Sequence, residues 1–108
     1  METFVRRVLK LAEAAAAAAG LKSPNVSVVR VLEKDPGFKL DLVKVTEGAF
    51  IEPASMSIYV VRATPDLTVL RIAAAYYALA MLETFGFLDV EKAASMARET
   101  YYRLLVRL

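Results

Sequence analysis

Between positions 67 and 87 the chain carries only two charged residues, Arg71 and Glu83. Just before this stretch, Thr64-Pro65-Asp66 combines a hydroxyl cap, a proline suited to a first helical turn and a carboxylate at the positive end of the helix dipole. Gly86 supplies a stop. The pattern predicts a helix over 64 to about 85 with almost no polar face. Such a helix has to be covered on most sides, so the rest of the chain must wrap it. Its longest charge-free part, residues 72–82, is about half of the ~20 residues that a bilayer span needs. A core helix is therefore expected, with no membrane span. At 108 residues the chain is one domain, residues 1–108.

The wrapping elements can be read from periodicity. Phe4, Val5, Val8, Leu9, Ala12, Ala15, Ala16 and Ala19 recur at helical spacing, with Arg6, Arg7, Lys10 and Glu13 opposite, so residues 2–19 predict a helix ended by Gly20. Residues 26–32 are rich in β-branched side chains. After the turn signal Asp35-Pro36-Gly37, Phe38, Leu40 and Leu42 alternate with Lys39 and Asp41. These two segments predict a hairpin. A loop around Glu47-Gly48 and Glu52-Pro53 leads to a third strand over 56–63. Asp89 caps a last helix whose apolar stripe runs from Val90 through Ala93, Ala97, Tyr101 and Leu104 to Leu108. The expected fold is α+β in the order α-β-β-β-α-α, a three-stranded sheet covered by the central apolar helix.

The chain has no histidine and no cysteine. Imidazole bases, thiolate nucleophiles, disulfides and His/Cys zinc sites are excluded, so neither a metal nor a cofactor is expected. The glycines lie too far apart for a phosphate-binding loop. Glu83, inside the apolar helix, is a candidate proton carrier only if buried; near a helix end it more often reaches water. Net charge is +2, and the fourteen Lys and Arg are spread along the chain. That is a poor footprint for nucleic acid, which is not the expected partner. The alternative reading is a weak nucleic-acid binder using Arg98, Arg103 and Arg107 with Tyr102. Glutamine is absent and asparagine occurs once, a depletion typical of thermophilic proteins and here taken to suggest an archaeal source. The charged N-terminal segment does not match a signal peptide, and a cytoplasmic location is expected.

From Arg71 the chain reads Arg-Ile-Ala-Ala-Ala-Tyr-Tyr-Ala-Leu-Ala-Met-Leu. This resembles the active-site helix of zincin metallopeptidases, in which His-Glu-x-x-His follows a few apolar residues. The element order resembles small archaeal gluzincin-like proteins, which have a backing helix, a three-stranded sheet, the active-site helix and a helix supplying a glutamate ligand. The motif-equivalent positions are Ala74, Ala75 and Ala78, and Glu91 and Glu99 lie where the third ligand would be. With alanine at both histidine positions and at the glutamate position, zinc has no ligand set and water no base. The resemblance implies a catalytically silent scaffold. It also implies that the third strand is a sheet edge, with Ser57, Ile58, Tyr59, Val60 and Val61 open to an extended peptide or a second copy. The expected function is that of a non-catalytic binding or assembly protein.

Overall fold

The computed structural model describes residues 2–108. It is α+β, with three helices and a four-stranded mixed sheet: α1 (Glu2–Ala18), β1 (Val28–Leu32), β2 (Val43–Thr46), β3 (Ala49–Glu52), β4 (Ser57–Val61), α2 (Pro65–Phe85) and α3 (Val90–Leu105). The helix boundaries follow the capping chemistry. Thr64 accepts from the N–H of Leu67 at 3.5 Å, Gly86 closes α2 in the left-handed region, and Asp89 accepts from the N–H of Lys92 at 3.1 Å.

α2 is the central element. Residues 72 to 80 are buried without interruption, in a helix packed against α3, α1 and the sheet. By length and composition α2 could cross a membrane, but 67% of its most apolar window is buried inside this fold, as in the core helix of a soluble protein. Alanines make the close approach feasible: Ala12 and Ala16 of α1, Ala73 to Ala75, Ala78 and Ala80 of α2, and Ala93 and Ala97 of α3 are all essentially inaccessible. Glu83 is exposed, in accord with its place near the helix end.

The sheet departs from the expected one in strand number and in pairing. Its order is β1-β4-β3-β2, with β1 parallel to β4 and the other neighbours antiparallel. The hairpin is β2–β3, turning at Glu47-Gly48 within the segment that the sequence predicts as a loop. The alternating stretch 38–42 is not a strand: Phe38 is 90% and Leu40 93% exposed, in a loop that carries the chain from one edge of the sheet to the other. The place beside β1 that a hairpin partner would fill is taken by β4.

Val29, Val31, Val43, Val45, Ala49, Ile51, Ile58 and Val60 belong to the core under α2. The opposite face carries one transverse row through all four strands, in which Arg30 stands across from Tyr59, Tyr59 from Phe50 and Phe50 from Lys44.

The β2–β3 turn is held by the one cation of α2. The Arg71 guanidinium donates to the Val61 carbonyl at 2.8 Å, and the Val61 N–H donates to the Gly48 carbonyl at 2.9 Å. Gly48 has φ +73, and a Cβ there would lie well inside contact distance of the guanidinium. Gly48→Ala is expected to lower stability by about 2 kcal/mol, from left-handed strain plus displacement of Arg71. In an Arg71→Met background the same change should cost only the backbone share, about 1 kcal/mol. Urea titration of the four chains measures the difference, and equal losses in both backgrounds would contradict the contact.

Candidate functional site

Ala74, Ala75 and Ala78 are fully buried, as is Tyr77 between them, and Tyr76 is nearly so. Thr100 gives its single hydroxyl proton to the Met96 carbonyl at 3.0 Å, so the Tyr77 hydroxyl, 2.8 Å away, is the donor to Thr100. Tyr76 likewise donates to Ser23 at 3.2 Å, and Ser23 donates to the Glu13 carboxylate at 2.7 Å. Burial raises the pKa of both tyrosines, partly offset by these hydrogen bonds. The two chains of hydroxyls tie α2 to α3 and to the segment after α1. They satisfy buried polar atoms and meet no reactive group at their inner ends.

Glu91 and Glu99 are exposed on α3. Eight residues of helix separate them, about 12 Å along the axis, and Glu99 accepts from the Ser95 hydroxyl at 3.3 Å. The structure therefore does not gather the sequence-predicted positions into one site. Among the described residues no three His, Cys, Asp or Glu side chains stand close enough to share a metal ion.

Ser27, Ser55 and Ser57 form a hydroxyl cluster at the start of β1. Ser57 lies 3.0 Å from Ser27 and 2.8 Å from Ser55, Ser27 donates to the Ser55 carbonyl and Ser55 donates to the Glu52 carboxylate. Their donors go to one another, to backbone and to Glu52. The cluster pins the β3–β4 turn, where Met56 holds φ 55, against β1.

The strand carrying Ser57, Ile58, Tyr59, Val60 and Val61 is interior. Hydrogen-bonded neighbours occupy both of its sides, β1 on one and β3 on the other, which corrects its expected place at the edge. Its lack of charge reflects burial, for Ser57, Ile58 and Val60 are inaccessible.

The edges are β2 and β1. β2 lies alongside α3. In β1 the Leu32 carbonyl accepts from the N–H of Arg62 at 2.7 Å. In a parallel ladder the groups of alternate residues turn to the partner strand. With Arg30 opposite Tyr59, Val28, Arg30 and Leu32 therefore face β4, and Val29 and Val31 turn their N–H and C=O outward. Beside this edge runs a shallow groove of about 400 Å³, lined by Val5, Leu9, Val26 and Val29 among others. The signal in the sequence was Val28-Val29-Arg30-Val31-Leu32 itself; its partner strand was what periodicity could not supply.

On α3, Arg98 and Tyr102 stand one turn apart on one face and Arg103 lies about 100° round the helix, whereas Arg107 follows the end of α3. Arg103 and Arg107 border a groove against Ala14, Ala15 and Ala18 of α1. Arg7 donates to the carbonyls of Arg107 and Leu108 at 3.3 and 3.1 Å, holding the C-terminus to α1. The three arginines and Tyr102 thus do not form one basic patch.

The chain matches no protein-family model, no curated protein and no solved structure.

Proposed function

We propose that the chain is a non-catalytic binding protein whose working surface is the outer edge of β1, with an extended segment as its occupant. The observation that carries this reading is the pair Val29 and Val31, whose main-chain groups face outward beside a groove that Val5, Arg6 and Leu9 of α1 line. An exposed edge with few charges is a template for strand addition, in which main-chain bonds hold the partner and alternate side chains enter pockets. The absence of histidine and cysteine and the wide separation of Glu91 from Glu99 support a role without chemistry. The zincin-like resemblance belongs to the same reading. The order of a backing helix, a sheet, an apolar helix and a closing helix supports a silent scaffold in which Ala74, Ala75 and Ala78 fill the motif positions.

Amide exchange of the isolated chain tests the edge. The N–H groups of Val28, Arg30 and Leu32 should exchange slowly and those of Val29 and Val31 quickly. A library of extended nonapeptides should contain members that slow Val29 and Val31 selectively. Slow exchange of all five amides in a strict monomer would sink the reading.

A further inference from the structure

We propose that the β1 edge selects an extended peptide bearing a carboxylate side chain in register with Arg30, and that Arg30 keeps the edge from pairing with a second copy of the chain. This rests on the reading of β1 as the working edge.

The argument begins with register. Only Val29 and Val31 turn main-chain groups outward. Two copies pairing antiparallel use all of these groups in one alignment, Val29 opposite Val31 of the second copy, which places the twofold axis at Arg30. Arg30 then faces Arg30 of the second copy in a non-hydrogen-bonded pair, where Cα atoms approach to about 4.5 Å. Like charges directly opposite one another are destabilising. Sliding by two residues in either direction removes the clash but matches only one outward residue per copy, the other falling opposite residues outside β1.

The charge on Arg30 is also unanswered within its own sheet. Its row continues through Tyr59 and Phe50 to Lys44, with no carboxylate. Acidic side chains on the neighbouring segments are engaged: Glu33 pairs with Arg62 at 2.7 Å, Glu47 with Lys44 at 3.2 Å, Asp35 accepts from the N–H of Gly37 and Glu52 accepts from Ser55. Arg30 is exposed on the outer face. An added strand that places Asp or Glu opposite it completes the row; the residues on either side of that carboxylate share the face of Val29 and Val31, and the one opposite Val29 lies beside the groove lined by Val5, Arg6, Leu9, Val26 and Val29. The occupant this edge fits is therefore apolar–acidic–apolar, on an extended backbone.

The test uses the full chain and two labelled peptides that share the frame Thr-Val-x-Val-Thr, with Glu or Lys at the centre. Fluorescence anisotropy at low salt should show the Glu peptide binding about 2- to 30-fold tighter. Arg30→Glu should reverse that order. Sedimentation should show a monomeric wild-type chain, and Arg30→Val should self-associate at concentrations where the wild type does not. Equal binding of the two peptides, with Val29 and Val31 slowed by both, would overturn the charge selection and leave the edge intact. Failure of both peptides to slow those amides would overturn the charge selection and the edge reading together. A wild-type dimer through β1 that Arg30→Val leaves unchanged would remove the deterrent role.

Discussion

A chain carrying Ala75→Glu is expected to be unfolded under conditions where the wild type is native. Ala75 is fully inaccessible, within a run of buried residues from 72 to 80. Glutamate there adds volume to a close-packed helix contact and brings a carboxylate into an inaccessible position, where Arg71, one turn earlier, is already engaged by the Val61 carbonyl. Overpacking alone costs about 1–3 kcal/mol, and an unpaired buried charge adds several more or forces protonation. The sum is comparable with the whole stability of a small domain, about 5–15 kcal/mol. Far-ultraviolet circular dichroism through a urea titration measures this. The triple change Ala74→His, Ala75→Glu, Ala78→His, which writes the metallopeptidase motif into the helix, should behave no better, and added zinc should not restore the folded signal. A folded, zinc-binding triple variant would show that the helix has an open face after all.

Leu79→Ala should lower stability by about 2–5 kcal/mol. Leu79 is fully buried in the same helix, and removal of its side chain leaves a cavity that alanine-lined neighbours have little bulk to fill. Phe38→Ala and Leu40→Ala provide the contrast. They also remove large apolar side chains, but from positions that are 90% and 93% exposed, so each should change the urea midpoint by less than about 0.5 kcal/mol in stability terms. A loss under 0.5 kcal/mol for Leu79→Ala would contradict the central place of α2.

The three helices could be read from the chain because their signals are local. A threonine before a proline, an aspartate three residues ahead of a free N–H, and a glycine after the last apolar residue each act within one turn. Strand pairing is a different kind of information. Phe38-Lys39-Leu40-Asp41-Leu42 has the alternation of a half-buried strand, but alternation describes a fitness for pairing and does not name a partner. β1 finds its partner beyond the β2–β3 hairpin, and no local signal in residues 26–32 points there. The uncharged run from Ser57 to Val61 has two physical causes that look alike in sequence: an unprotected edge, or a strand covered on both sides. The structure has the second. The candidate site was missed for the same reason, since Arg30 acquires its meaning only when β1 is known to be the edge.

The parallel pairing also bears on how the chain is made. Arg30 and Tyr59 stand opposite one another but twenty-nine positions apart in sequence. Translation proceeds from the N-terminus at roughly 5–20 residues per second, and residues near the start emerge first. The segment that becomes β1 therefore emerges about 1.5–6 seconds ahead of β4 at those rates. During that interval it is a nascent Val-Ser-Val-Val-Arg-Val-Leu tract with neither side paired, and Arg30 is its single charge. Placed near the middle of the tract, that guanidinium is positioned to act as a gatekeeper against aggregation between neighbouring chains on a polysome.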